Sequence, residues 1–415
     1  MSLKTLILAF LLCAAVSCTS EVPRKDLPYP LTSKSYGDPV KMVTIPLPAI
    51  STDPNEGITA GALAAMLVYD KKDDVRTLLA PQLNYNKNYG ISGTIYGAIY
   101  PKPGRSLEIN ISQSQRRNYD YEMTLKDRGN FVHGVAMKAF LFHMKDGSAR
   151  FFGFGSASPL EQQTNYADTE TGFDVSAIID VLPKFKIAAG ERLKKVDIRP
   201  GAISSLPFIL DRFTPQEVPG STGFTTNAQR ISLIYTTLDS NKAPTSGVYF
   251  SGTSEWSSKA LGSTANFFHY SFEAEDYMPS STKRFITIVR GVYNQTIGSD
   301  VPFLERSILG GEDTLRGYGR NRFIDKSYTL FNAEERIRLF TWQVFNVNAN
   351  WELAPFIDLG AVSSSIYTLS AKEFKPCPGI GFRAIVPPYI VGRIDIGVGQ
   401  EGPAVFVGLG YPFTF

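Results

Sequence analysis

The sequence predicts an all-β fold, a transmembrane antiparallel β-barrel of about 16 strands. Three observations carry this. A secretory leader opens the chain, and no later apolar run reaches the roughly 18 residues that a helical span needs. Short runs of period-2 alternation then recur along the remainder. Composition agrees: aromatic residues make up 12%, with Tyr 20 and Phe 28 against Trp 3, and such side chains fit a pleated surface. Lys+Arg 42 nearly balances Asp+Glu 39, so the clustered basic face of a nucleic-acid binder is not expected.

Residues 1–20 read as a signal peptide. Lys4 gives the short basic region, Leu6 to Val16 is an unbroken apolar run, and small residues follow at Ala15 and Ser17. Ala15-Val16-Ser17-Cys18 loosely resembles a lipoprotein cleavage box, which makes Cys18 a candidate for lipidation. Ordinary cleavage near Ser17 or Ser20 is the alternative. Once the leader is removed, Cys377 is the one cysteine certain to remain, so no disulfide framework is expected. Residues 21–56 are Pro-rich without periodicity and read as a mostly irregular periplasmic lead-in, with the barrel over 57–415.

Within the barrel, runs of alternation lie near 59–69, 76–86, 91–101, 105–115, 118–127, 133–143, 172–182, 185–195, 228–238, 247–256, 268–275, 284–295, 331–339, 351–362, 378–386, 393–399 and 405–415. Most have the roughly ten residues that a tilted strand needs to cross a bilayer. There are 17 of them, an odd number. Single-chain bacterial barrels close on an even number, so about 16 strands with one overcount within 59–127, where alternation is weakest, is the expectation. The last run shows the pattern best. Val405, Val407, Leu409, Tyr411, Phe413 and Phe415 form one apolar face ending in aromatics, opposite Phe406, Gly408, Gly410 and Thr414. Ile394, Ile396 and Val398 alternate with Arg393, Asp395 and Gly397, charges that call for water behind the sheet.

Connections fall into two classes. Lys102-Pro103-Gly104, residues 279–283 and Pro387-Pro388 read as tight turns. Residues 144–171, 196–227, 296–328 and 363–377 are long. Counting back from a periplasmic Phe415 puts all four on the outer side, where such barrels carry their long loops.

Enzyme signatures are thin, and neither an enzyme nor a cofactor is expected. His133, His143 and His269 are not spaced as metal ligands. Gly397-Val398-Gly399-Gln400-Glu401-Gly402 matches a dinucleotide fingerprint in letters only, since a strand and not a helix follows it. The densest segment is Leu309-Gly310-Gly311-Glu312-Asp313-Thr314-Leu315-Arg316-Gly317-Tyr318-Gly319. On the residues alone, Arg316 is either a solvated loop charge or an anchor.

Leu315-Arg316-Gly317-Tyr318 resembles the Val-Arg-Gly-Phe/Tyr motif of the BamA/TamA outer-membrane barrel superfamily, the bacterial surface antigen family. Asp239 to Gly247, Asn332-Ala333-Glu334-Glu335-Arg336, Phe356-Ile357-Asp358-Leu359-Gly360 and the terminal Phe415 are similar to further family elements, in family order. The resemblance implies a long loop folded into the lumen, with Arg316 paired to Glu334 and Asp358. It also implies that Tyr411, Phe413 and Phe415 act as a C-terminal targeting signal read by the barrel assembly machinery. Alternation independently points Glu334 and Asp358 to the lumen side of neighbouring strands. Family members usually carry periplasmic POTRA modules, whereas only residues 21–56 separate leader from barrel here, so a POTRA-less member is expected. The resemblance implies a protein or lipid insertion or translocation scaffold at the bacterial outer membrane, in contact with its lipid and with protein or lipid cargo. A passive channel and a structural surface antigen are the alternatives.

Overall fold

A computed structural model describes residues 18–26, 36–72, 74–240, 243–344, 347–386, 390–409 and 411–412. Phe413, Phe415, most of the leader and the Pro387-Pro388 turn lie outside the described residues. The strands, in chain order, begin with β1 (Cys18–Val22), β2 (Val40–Asp53), β3 (Gly57–Tyr69), β4 (Val75–Asn86), β5 (Gly90–Lys102) and β6 (Arg105–Ser114). They continue with β7 (Tyr119–Val132), β8 (Val135–Asp146), β9 (Arg150–Phe151), β10 (Thr164–Leu182), β11 (Phe185–Pro200) and β12 (Phe224–Thr236). Next come β13 (Gly247–Ser257), β14 (Phe267–Pro279), β15 (Phe285–Ile297), β16 (Ser307–Leu309) and β17 (Phe323–Asp325). The series ends with β18 (Ser327–Val344), β19 (Val347–Ser363), β20 (Lys375–Val386), β21 (Ile390–Gly399) and β22 (Gly402–Leu409).

Setting aside the short β1, β9, β16 and β17, these 22 strands leave an antiparallel meander of 18, each paired with its predecessor. All 17 runs read from alternation are strands of this meander. The even number comes from an additional strand, β2, and not from an overcount. Residues 40–53, expected to be irregular lead-in, pair with β3 from Met42↔Val68 to Asp53↔Gly57. The sequence hides this strand for a physical reason. Val43, Ile45 and Leu47 face inward with Ala65, Leu67 and Leu78 as one apolar cluster, while Met42, Thr44, Pro46, Pro48 and Ile50 face outward. Both sides are apolar, so no period-2 contrast survives. The same cluster explains the weak alternation in β3 and β4.

Elsewhere the two faces differ as lipid outside and a polar interior require. Phe272, Leu233, Phe331, Ile357 and Val398 are exposed on the outward face. Asn332, Glu334, Arg336, Asp358, Arg383, Arg393 and Asp395 are buried on the inward face. The inward charges at Arg393 and Asp395 meet a loop where the sequence suggested water, as described below. Long connections gather at one end of the meander and pack on one another. Phe151, Ile209, Val218, Phe303 and Ile324 from three of them bury a shared apolar cluster with Tyr166 and Phe224.

Two interior prolines reveal how this sheet handles a missing N–H. Proline donates nothing to a ladder, so the side its nitrogen faces must lose pairing. Pairing of β3 with β4 lapses between Leu63↔Gln82 and Met66↔Leu79, around Pro81, yet runs unbroken on the β5 side through Pro81↔Ile95. Pairing of β18 with β19 lapses between Glu334↔Phe356 and Ile337↔Leu353, around Pro355, and is continuous on the β20 side. The meander's first and last strands, β2 and β22, lie side by side. Among the described residues no paired register joins them.

Candidate functional site: an anchored loop beside the seam

Residues 298–326 connect β15 to β18 and do not stand free. A small hairpin, Ser307↔Asp325 to Leu309↔Phe323, narrows the base of the connection. Its tip turns back against the inward face of β18 to β21. Leu309, Leu315, Tyr318 and Phe323 bury an apolar cluster with Val292, Leu330, Val362 and Cys377, and the rings of Tyr318 and Phe323 meet edge-on at 5.0 Å. Burial of this kind contributes about 1.5–3 kcal/mol per large side chain. The apolar residues of the motif therefore hold the loop as much as its charge does.

Arg316 is fully buried. Its Nη1 donates to Glu334 Oε2 at 2.7 Å, while Nε and Nη2 donate to Asp358 Oδ2 and Oδ1 at 2.9 and 2.8 Å. The backbone N–H of Arg316 also reaches Asp358 Oδ2, at 3.1 Å. The guanidinium carbon lies over the Phe356 ring, 3.5 Å from its centroid. A planar fork of five donors suits two carboxylates on neighbouring strands in a way a lysine ammonium cannot. The strand register supplies the geometry, because Asp358 lies opposite Asn332 and Glu334 opposite Phe356. Asn332 Nδ2 steadies the arrangement with bonds to Asp358 Oδ1 (2.8 Å) and Thr314 O (3.0 Å).

The cluster extends beyond the three residues expected from the sequence. Arg383 Nη2 lies 3.4 Å from Glu334 Oε2, and its Nη1 lies 2.7 Å from Asp395 Oδ1. Arg336 Nε donates to Glu334 Oε1 at 3.2 Å. The register of the sheet brings these residues in: Arg383 and Arg393 sit directly opposite one another on β20 and β21. Like charges so placed repel unless anions are interleaved.

Glycine lets the loop backbone touch the wall. A Cβ on Gly397 would fall 2.3 Å from Arg316 O, and one on Gly317 would fall 2.7 Å from Gly399 N. The Gly397–Gly402 fingerprint is thus a contact track for the loop, with Tyr318 Oη accepting from Gln400 N at 3.1 Å.

The loop also touches both flanks of the seam. On the β2–β3 side, Asn55 Nδ2 donates to Arg320 O at 2.8 Å, and Arg320 Nε lies 3.7 Å from Asp53 Oδ2. On the β21–β22 side, Arg322 Nε donates to Glu401 Oε1 at 2.6 Å, and Arg393 Nη2 to Glu312 Oε2 at 2.8 Å. Glu312 Oε1 in turn accepts from Arg320 at 2.8 Å, closing a chain of charges from one flank to the other. Farther along the loop, Glu305 meets Arg192 Nη2 at 2.7 Å and Lys194 Nζ at 3.1 Å. Burial alone would raise the Glu305 carboxyl, but Lys194 and Arg192 outweigh it and bring it down to about 2.

Of the C-terminal residues singled out in the sequence, Tyr411 is buried. Its hydroxyl donates to Glu352 Oε2 at 3.1 Å, and the Arg336 guanidinium lies 3.7 Å from its ring centroid. Cys18 opens β1, which pairs with the β2 edge remote from β3, from Cys18↔Thr44 to Val22↔Val40. Among the described residues no group of His, Cys, Asp and Glu is arranged to hold a metal ion.

One solved structure shares this fold at a TM-score above 0.5, and two others align less closely. BamA from Haemophilus ducreyi lacking POTRA domains 1–3 superposes with a TM-score of 0.55 at 15% identity, covering 88% of this chain and 75% of that one. CdiB from Escherichia coli aligns at 10% identity with a TM-score of 0.48, covering 99% of this chain and 71% of that one. CdiB from Acinetobacter baumannii aligns at 9% with a TM-score of 0.42, covering 95% and 65%. Residues 102–399 match the Omp85 superfamily domain, a span that takes in the meander from the end of β5 to β21 and the whole Arg316 cluster. This outer-membrane β-barrel chain belongs to the Omp85 superfamily.

Proposed function

We propose that the protein is an insertion or translocation scaffold of the outer membrane that works at the seam between β2 and β22. The observation that carries this is the contrast between that junction and every other one. Each successive pair of the meander has a paired register, whereas β2 and β22 adjoin without one among the described residues. A junction lacking ladder hydrogen bonds costs less to part than one with ten or more, since each such bond contributes about 0.5–1.5 kcal/mol net. The Arg316 cluster serves as the fixed point of the loop that touches both flanks. Tyr411, packed against Arg336, belongs to the segment through which the barrel assembly machinery engages the chain during biogenesis.

The test is a disulfide lock. A bridging cysteine pair, found by scanning positions 46–52 of β2 against 403–407 of β22 and oxidised in a Cys377→Ala background, should close the seam and abolish the defect-rescuing activity of the gene in a depleted host. Reduction should restore it. Full activity with the seam bridged would refute a working seam. A passive channel is a second reading, favoured by the polar inward face of β5 to β7, where Thr94, Glu108, Asn110, Ser112, Asp120 and Glu122 cluster. Steady conductance in planar bilayers, unaffected by the lock, would select it.

A further inference from the structure

We infer that the seam admits the acyl chain of a membrane phospholipid and is blunted against pairing with an incoming β-strand; this rests on the seam being the working site. The argument begins with two prolines. In a strand the N–H and C=O of one residue face the same neighbour, and those of the next residue face the other. Pro46 and Pro48 lie two apart on β2, so their nitrogens face the same way. Pairing of β2 with β3 runs unbroken through Pro46↔Ala64 and Pro48↔Ala62. The lapses around Pro81 and Pro355 mark what happens when a proline nitrogen faces its partner. Pro46 and Pro48 cause no such lapse, so their nitrogens face the seam.

The seam edge of β2 is therefore poor in donors. Its seam-facing positions are 40, 42, 44, 46, 48, 50 and 52. Val40, Met42 and Thr44 lie opposite β1, at Val22, Ser20 and Cys18, a strand that cleavage of the leader near Ser17 leaves in place. Positions 46 and 48 are proline, which leaves Ile50 and Thr52. Prolines and short covering strands are the devices by which sheet edges resist the addition of another strand. An extended client that relies on main-chain hydrogen bonds for its affinity finds two adjacent positions where none can form.

The inward surface beside this edge points to what does fit. Most of the inward face is charged or polar, but Val43, Ile45, Leu47, Ala65, Leu67 and Leu78 make a continuous apolar wall. Ala404 and Phe406 bring apolar surface to the inward side of β22. The outward faces of the same strands carry Ile50, Ile58 and Ala62, directed at lipid. Hydrocarbon can thus run from the bilayer through a parted seam onto the apolar wall of β2 and β3, with the Glu312–Arg393 pair beside Gly408 as the charged border on the β22 flank. An acyl chain has no hydrogen bonds to satisfy, so absent donors cost it nothing, whereas a strand would leave its own carbonyls unpaired.

The full chain, reconstituted in phosphatidylethanolamine–phosphatidylglycerol vesicles with a diazirine-acyl phosphatidylethanolamine, tests this. Photolysis should label inward residues of β2, β3 and β22. Leu47→Asp should cut that labelling roughly tenfold, because a carboxylate now lines the path, and Leu47→Met should leave it unchanged. In parallel, an unfolded eight-stranded barrel client carrying cysteine probes should form no mixed disulfides with Ser51→Cys of the wild-type edge. It should gain them when Pro46→Thr and Pro48→Thr restore the donors. Client capture by the wild-type edge, or folded and heat-modifiable protein without inward labelling, would overturn the inference. The disulfide lock of the seam separates the two levels. If the lock blocks client capture and lipid never labels, only the lipid assignment falls. If the lock changes neither readout, the seam itself falls.

Discussion

Arg316 concentrates much of what holds the loop. It is buried with two carboxylates at hydrogen-bond distance and a third, Asp395 Oδ1, at 3.9 Å. Removing one partner of a buried ion pair strands the others at a cost of about 3–5 kcal/mol. Arg316→Ala is therefore expected to reduce the fraction of heat-modifiable, folded barrel on a gel. Arg316→Lys should rescue poorly, because a lysine ammonium cannot serve Glu334 and the Asp358 fork together. Wild-type migration of both variants would refute the anchor. Glu305 gives a prediction with a pH sign. Its carboxyl falls from an ordinary 4.5 to about 2 in the fold. Its stabilising contribution is complete above the ordinary value and is lost as pH falls through about 2. Protease cleavage after Arg306 should stay slow down to about pH 4.5 in wild type and quicken below it, and Glu305→Gln should speed it at neutral pH.

At the scale of elements, the loop and β21 are fitted backbone to backbone. Gly397→Ala should push the loop off the wall, since the added methyl would meet Arg316 O at 2.3 Å. The expected outcome is faster tryptic cleavage at Arg320 and Arg322 with the strands intact. Cleavage at the wild-type rate would count against the contact track. The elements also show what could be read from sequence. Strands with lipid on one side and charge on the other, such as β18 with Phe331 and Ala333 out and Asn332 and Glu334 in, announce themselves by alternation. β2 did not, because Val43, Ile45 and Leu47 match its outward residues in polarity and its prolines argue locally against a strand. Of the charged cluster, Arg316, Glu334 and Asp358 were legible through the Leu-Arg-Gly-Tyr motif and the face they share. Arg336, Arg383 and Asp395 looked like ordinary water-facing charges. Their role depends on which register brings β18, β20 and β21 under the loop tip, a tertiary fact that period-2 reasoning does not carry.

Across the whole molecule, the long connections form a layer over one end of the barrel. Arg322 joins that layer to Ser158 (2.9 Å) and Glu401 (2.6 Å), and Arg150 Nη2 reaches Asn55 O at 2.8 Å. Replacing Leu309–Gly319 with a short Gly-Ser linker should remove both the lumen filling and the bridge between the seam flanks. Planar-bilayer conductance is expected to rise several-fold, with larger fluctuations. An unchanged conductance would place the barrier elsewhere. The anchoring cluster has a consequence for the order of assembly. Its charges come from residue 316 and then from four successive strands, at 334, 358, 383 and 395. Arg316 takes its two direct carboxylates from β18 and β19, but Arg383 and its partner Asp395 complete the cluster only when β21 is laid down, so final docking of the loop is a late step. An arginine left without its carboxylates is a poor occupant of a half-built barrel, and truncated or misthreaded chains would be held back at that checkpoint.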